Sequence, residues 1–347
     1  MSKDSHTGRF LDYADSIRAI AVLAVVTLHA SAAGVVRYGQ LDAVNWWGAN
    51  VVDSFCRWAV PVFIMLSGAL LLDPSRRDAV WTFYRKRLMR IGIPLVFWAA
   101  FYFYWKHSYY GEPVDVGFIV SALRDGLSFN HMYFLIIITG LYAVTPLLRK
   151  AMALSPRWLV WAVLIAYTYF VASGALYSIT GNHALTLFLP YIVFYILGHL
   201  LRPLRMPRCM AQVSLLCYMV ASVVIAIATG VLVQRWGIDD YRALRYYNHF
   251  HPAVIVQSIS ALLAIRACYI WVSATRWEVV ARVLGPLSFG IYLIHVVFLD
   301  MFRGYTASLY ARASIVAIAI EVTVVFVCSA VATYLIRKVP VISYTMG

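Results

Sequence analysis

Charge is what this chain has least of. Asp, Glu, Lys and Arg make up 13% of its 347 residues, about half the share of a soluble domain, and the acids number only 15 against 29 basic residues. So little charge cannot cover a surface facing water, which excludes an ordinary soluble enzyme. The net charge of +14 is also spread between apolar stretches rather than gathered on one face, so no nucleic-acid partner is implied. Cysteine is sparse. Cys56, Cys209, Cys217, Cys268 and Cys328 fall in or beside apolar stretches with no Cys-x-x-Cys spacing, which implies neither a disulfide framework nor a zinc site. His249-Phe250-His251 has no carboxylate or cysteine at metal-ligand spacing, so a loop role is expected and no metal. Soluble domains, low-complexity linkers and clear internal repeats are missing too.

What is present is apolar sequence, 63% of the chain. Windows of about 19 residues place roughly ten spans near 14–36, 50–72, 91–106, 131–148, 158–177, 186–201, 209–233, 251–272, 283–302 and 313–336. The expected fold is an all-α, polytopic transmembrane helix bundle. It forms a single membrane-embedded domain over residues 1–347, with short tails at 1–13 and 338–347. Placing both termini in the cytoplasm puts the clusters Arg76/Arg77/Arg85/Lys86/Arg87/Arg90, Arg149/Lys150/Arg157, Arg202/Arg205/Arg208, Arg276/Arg282 and Arg337/Lys338 on that side, as the positive-inside rule asks. The charge then serves topology and anionic lipid on the inner leaflet. The first apolar stretch is not read as a signal peptide, although Ala30-Ser31-Ala32 has the look of a cleavage site. Asp12 and Asp15 stand where a positive n-region belongs.

Ionisable residues inside such stretches are costly and mark functional sites by default. Arg18 and His29 are eleven residues apart in the first stretch, close to three helical turns, so both share one face about 16 Å apart along the axis. With Arg18 at the inner interface, the imidazole reaches mid-depth of a hydrocarbon layer about 30 Å thick. Apolar surroundings favour the uncharged imidazole, which can accept a proton from a hydroxyl at pH 7; the alternative is a histidine satisfied by a neighbouring helix. Arg87 and Arg90, three apart at the mouth of the third span, fall on one helical face where two guanidiniums can hold phosphate. Simple anchoring by positive charge is the other reading. His131, His295 and Ser67 are candidate acceptor or site-lining residues, with local capping or a close helix crossing at Ser67-Gly68 as alternatives. Asp15 can pair with Arg18, and Asp53 with Arg57. Glu321 and Asp300 are further polar candidates within the spans.

Arg18-x10-His29, Val60-Pro-Val-Phe-Ile-Met-Leu-Ser67-Gly68, Arg87-x-x-Arg90, His131-Met-Tyr-Phe-Leu, Leu141-Tyr-Ala-Val-Thr-Pro-Leu-Leu and Leu284-Gly-Pro-Leu-Ser-Phe-Gly-Ile-Tyr-Leu-Ile-His295 occur in that order. Together they resemble the acyltransferase-3 family of integral-membrane O-acyltransferases over essentially the whole chain. The resemblance is greatest to the compact branch that acetylates surface polysaccharides such as enterobacterial common antigen. It implies transfer of an acyl group, acetyl in most of the family, from cytoplasmic acyl-coenzyme A to a sugar hydroxyl of a surface glycan or its lipid-linked precursor. By the same resemblance His29 is the catalytic residue, as general base or acyl carrier, and Arg18, Arg87 and Arg90 bind the donor. No permanently bound cofactor is implied. The expected location is a bacterial inner membrane, with the polysaccharide-synthesis machinery as a further partner.

A transporter or flippase of a glycolipid or acyl donor would also carry intramembrane His, Arg and Glu and an inward basic face, but it would usually show two matching halves. A non-catalytic partner of a polysaccharide synthase is a third reading. Acyl release from labelled acyl-coenzyme A separates the first reading from both.

Overall fold

The computed structural model describes residues 3–73, 79–126, 131–181, 183–271 and 275–347; Arg76 and Arg77 of the first basic cluster lie outside them. Regular structure among the described residues is helical throughout, with no strand. That is the all-α membrane fold expected from composition, because in lipid a helix satisfies every backbone group within its own segment. Among the described residues seven helical segments are long and apolar enough to cross a membrane, and Arg157–Ala172 and Ile192–Leu201 are shorter apolar helices.

By packing, the chain divides into two compact units, Met1–Phe63 with Arg205–Leu335, and Ile64–Leu204 with Ile336–Gly347. The first is built from α1 (Lys3–Val35), α2 (Ala43–Cys56), α11 (Arg208–Trp236), α12 (Pro252–Trp271) and α13 (Thr275–Ile336). Helices α1 and α2 form an antiparallel hairpin. Trp46 Nε1 donates to the Val35 carbonyl at 2.9 Å, Ser31 Oγ reaches Asp53 Oδ2 at 3.3 Å, and Gly34 lies so close to Ala49 that a Cβ would stand 2.5 Å from the alanine methyl. Asn50 Nδ2 binds the Ala226 carbonyl of α11, and Gln257 Nε2 of α12 donates to Ser54 O and Ser222 Oγ, both at 2.7 Å. Buried amides thus tie three apolar helices together where hydrocarbon gives no hydrophobic drive to associate.

Helix α13 corrects the expected chain path. Residues 303–312, expected outside the spans, are helical, and the single break is at Ala313, with φ −158° and ψ 75°. A straight helix of its 62 residues would extend about 93 Å, three times the hydrocarbon thickness, so the bend is required.

The second unit contains most of α3 (Ala59–Leu71), then α4 (Val80–Arg87), α5 (Ile93–Tyr110), α6 (Val116–Asp125), α7 (Tyr133–Leu154), α8 (Arg157–Ala172), α9 (Ala175–Thr180) and α10 (Ile192–Leu201). The stretch 186–201, expected as one span, is helical only from Ile192; Pro190 lacks an N–H and disfavours helix at the residue before it. α3 and α10 cross at Gly68 and Gly198, where an added Cβ would overlap the Tyr195 and Met65 carbonyl oxygens respectively. The Ser67-Gly68 pair therefore does serve a close crossing, through the glycine.

Candidate active site

His29 lies on the face of α1 that meets α13. Its ring and that of His295 are 5.1 Å apart between centres, inclined at 50°. His295 is fully buried, and its Nδ1 lies 2.7 Å from the Tyr292 carbonyl one turn earlier. A carbonyl can only accept, so Nδ1 carries the proton and Nε2 keeps a lone pair. Arg303, two turns beyond His295 on α13, donates to the His29 carbonyl at 3.4 Å and pairs with Asp300 at 3.7 Å. Two turns further, the Tyr310 hydroxyl contacts the Ala30 carbonyl at 2.8 Å and Glu321 Oε2 at 2.7 Å, while Thr306 Oγ1 donates to Glu321 Oε1 at 2.5 Å. α13 thus grips α1 at consecutive residues, His29 and Ala30, and Glu321, which had no partner visible in the sequence, closes that grip.

The α2 side of the histidine carries an ion pair. Asp53, wholly buried, accepts from Arg57 Nε at 2.6 Å and also from Nη2. The guanidinium lies over the Tyr247 ring, 3.6 Å from its centre, and Tyr247 donates to Asn50 Oδ1 at 2.6 Å. Pairs across the hairpin, Val35 with Trp46 and Ser31 with Asp53, put Arg57 near the level of residues 27–29. The guanidinium charges of Arg57 and Arg303 both act on His29. Around His29 the unit therefore gathers a second histidine, two guanidiniums and a buried carboxylate, the components of proton transfer and anion stabilisation.

Arg18, lower on α1, is held by Asp15 at 2.6 Å. Gly285 of α13 passes so close to Asp15 that a Cβ would be 2.6 Å from the aspartate Cβ, and Trp277 Nε1 donates to Ser16 Oγ at 3.2 Å. Both readings of Arg18 survive here, since a paired guanidinium keeps further donors.

Arg87, Arg90, His131 and Ser67 belong to the second unit. A π-helical turn, Leu88–Gly92, follows α4, so that Arg87 ends α4 and Arg90 lies within the turn. Its i→i+5 bonding widens the turn, so the α-helical neighbour relation expected for a three-residue spacing is lost. Arg87 turns inward over Phe83 and Tyr142, with Cζ 5.4 Å from each ring centre, whereas Arg90 is exposed. His131 is buried just before α7, edge-on to Tyr102 with ring centres 4.7 Å apart. Ser67 is half-buried on α3 beside the Gly68 crossing.

Of the residues chosen from sequence, then, His29 and His295 come together, with Arg18 on the same helix. Arg57 was visible as half of an i, i+4 pair. Arg303 was missed; Asp300-x-x-Arg303 was its only signal, hidden by the expectation that the ninth span ends at 302. His251 takes a local role, accepting from Ala253 N at the start of α12. Among the described residues, no three or more His, Cys, Asp or Glu are grouped so as to hold a metal ion.

A family model described as an acyltransferase domain, that of the acyltransferase-3 family, matches residues 11–337. No curated protein and no solved structure matches the chain.

Proposed function

The chain belongs to the acyltransferase-3 family, and we propose that it moves an acetyl or other short acyl group from acyl-coenzyme A to a sugar hydroxyl of a surface polysaccharide or its lipid-linked precursor. The observation that carries the reading is the approach of His29 to His295 across α1 and α13, with ring centres 5.1 Å apart. In the proposed reaction His29 removes the hydroxyl proton while the oxygen attacks the thioester carbonyl. The C–O bond forms, the C–S bond breaks, and the coenzyme A thiolate takes the proton back from the imidazolium. The guanidiniums of Arg57 and Arg303 favour the oxyanion formed on the way. Arg18, Arg87 and Arg90 are proposed to serve the polyphosphate of the donor. Ser67, His131 and His295 are proposed to line the route of the acceptor.

A cytoplasmic donor fits basic loops on the inner side of a bacterial inner membrane. The compact branch that acetylates surface polysaccharides is the proposed place of this chain within the family.

The test uses purified full-length protein in nanodiscs with radiolabelled acetyl-coenzyme A and lipid-linked glycan acceptors. His29→Ala should bind donor as the parent does, yet transfer acyl groups roughly 10²–10⁴-fold more slowly. Full transfer by this variant would refute the mechanism. Label trapped on the wild-type protein without acceptor, and absent from His29→Ala, would mark an acyl-histidine intermediate in place of direct transfer.

A further inference from the structure

Arg149 was read from sequence only as part of a positive-inside cluster. In the second unit it does something more specific. Tyr142, Thr145 and Arg149 recur at i, i+3 and i+7 on α7, and so share one face. Phe83 and Arg87 share a face of α4 in the same way, at i and i+4. The Tyr84 hydroxyl fixes α4 on α7 by donating to the Ala143 carbonyl at 2.7 Å. This docking brings Arg149 and Arg87 to one ring: their Cζ atoms lie 4.9 Å and 5.4 Å from the centre of Phe83, which is itself buried.

The surroundings of the two arginines identify what belongs with them. Arg149 Nε is spent on the Leu71 carbonyl at 2.5 Å, which orients the guanidinium and turns its Nη edge away from that bond. Arg87 makes no ion pair among the described residues, lies over Phe83 and Tyr142, and its buried Nε finds no hydrogen-bond partner. Tyr195, whose hydroxyl meets Thr145 Oγ1 at 2.8 Å, is acted on by both charges. Both guanidiniums are held beside one buried aromatic ring, and aromatic faces offset only part of the cost of desolvating a cation there. An anion with several acceptor oxygens gives the orphaned Arg87 Nε–H a partner. Guanidinium forks match phosphate best, and the pyrophosphate of coenzyme A offers two such groups in sequence.

We propose that Arg149 and Arg87, gathered on Phe83, clamp the phosphates of the acyl donor. The proposal rests on the donor reading above and adds to it a binding residue from α7. A lipid headgroup would offer the same phosphate chemistry, so the experiment must separate the two sources.

Full-length protein in phosphatidylcholine nanodiscs is titrated with coenzyme A and with pantetheine, which lacks the phosphates. Wild type is compared with Arg149→Lys, Arg149→Gln and Arg85→Gln, the last removing an exposed charge from α4, the helix of Arg87. The clamp requires coenzyme A affinity to fall roughly ten- to hundredfold in both Arg149 variants, pantetheine affinity to stay constant, and Arg85→Gln to change little. Should Arg149→Gln fail to fold through loss of the Leu71 contact, Arg149→Lys carries the comparison. Wild-type coenzyme A affinity in folded Arg149→Lys and Arg149→Gln overturns the clamp and leaves the donor reading standing. No coenzyme A binding by the wild type overturns the donor reading. If phosphatidylglycerol nanodiscs then raise the melting temperature in an Arg149-dependent way, the site holds a lipid phosphate and the assignment to the donor is wrong.

Discussion

Replacing Asp53 by Asn removes the negative half of an ion pair whose carboxylate is fully buried and whose guanidinium is 16% exposed. Breaking a buried pair by removing one partner costs about 3–5 kcal/mol, because the remaining charge is left uncompensated. Arg57 keeps some access to polar surroundings and keeps its stack on Tyr247, a contact worth up to about 2 kcal/mol when desolvated. The expected cost is therefore near the lower end, about 3 kcal/mol, a large share of the 5–15 kcal/mol by which domains are stable. Arg57→Met should cost a similar amount by stranding Asp53, whose remaining partner is Ser31 Oγ at 3.3 Å. With Asp53→Asn and Arg57→Met combined no charge is left, so the double variant should lose less than the sum of the singles by about 1–3 kcal/mol. Equilibrium unfolding in mixed micelles, followed by tryptophan fluorescence and helicity, measures all three. Additive losses would refute the claim that the pair is coupled and buried. Should the singles be neutral, the pair would have to be a solvated one worth at most about 1 kcal/mol.

The crossing of α3 on α10 makes a steric prediction: Gly198→Ala puts a Cβ into the Met65 carbonyl oxygen, and backbone cannot yield as a side chain tip can. The loss should reach or exceed the 1–3 kcal/mol usual for overpacking; thermal unfolding equal to wild type would show that the helices do not approach as described. In the loop before α12, hydrogen bonds from Arg242 hold the Asp240 carboxyl down to about 2, below the usual 3.9 of an unfolded aspartate. A depressed folded value contributes stability that is present above about pH 4 and lost as pH falls toward 2. The stability difference between wild type and Asp240→Asn should accordingly stay constant from pH 6 to about 4.5 and shrink below 4, and a difference that widens with acid would contradict the pairing.

Composition and hydropathy by themselves determined the class of this protein. A chain with 13% charge and continuous apolar stretches, which lack the alternation of a barrel strand, satisfies its backbone in lipid as helices, and helices occupy most of those stretches. Local pairing was equally legible. Asp15 with Arg18 and Asp53 with Arg57 form at the i, i+3 and i, i+4 spacings where helix geometry alone makes neighbours. Motif order pointed to the family whose model matches residues 11–337. Tertiary structure decided whatever depends on two helices meeting. No period in the sequence relates His29 to His295, 266 residues later, or Glu321 to Tyr310 and through it to Ala30; those contacts exist because α13 packs along α1. The separation of Arg87 from Arg90 was hidden for a related reason. Three residues make neighbours in an α-helix, but Arg90 lies inside a five-residue π turn that begins right after Arg87, and the aromatic rings of Phe83 and Tyr142 draw Arg87 inward. Side chains three or four apart are placed by the helix that carries them, whereas side chains on different helices are placed by the packing of the helices against each other.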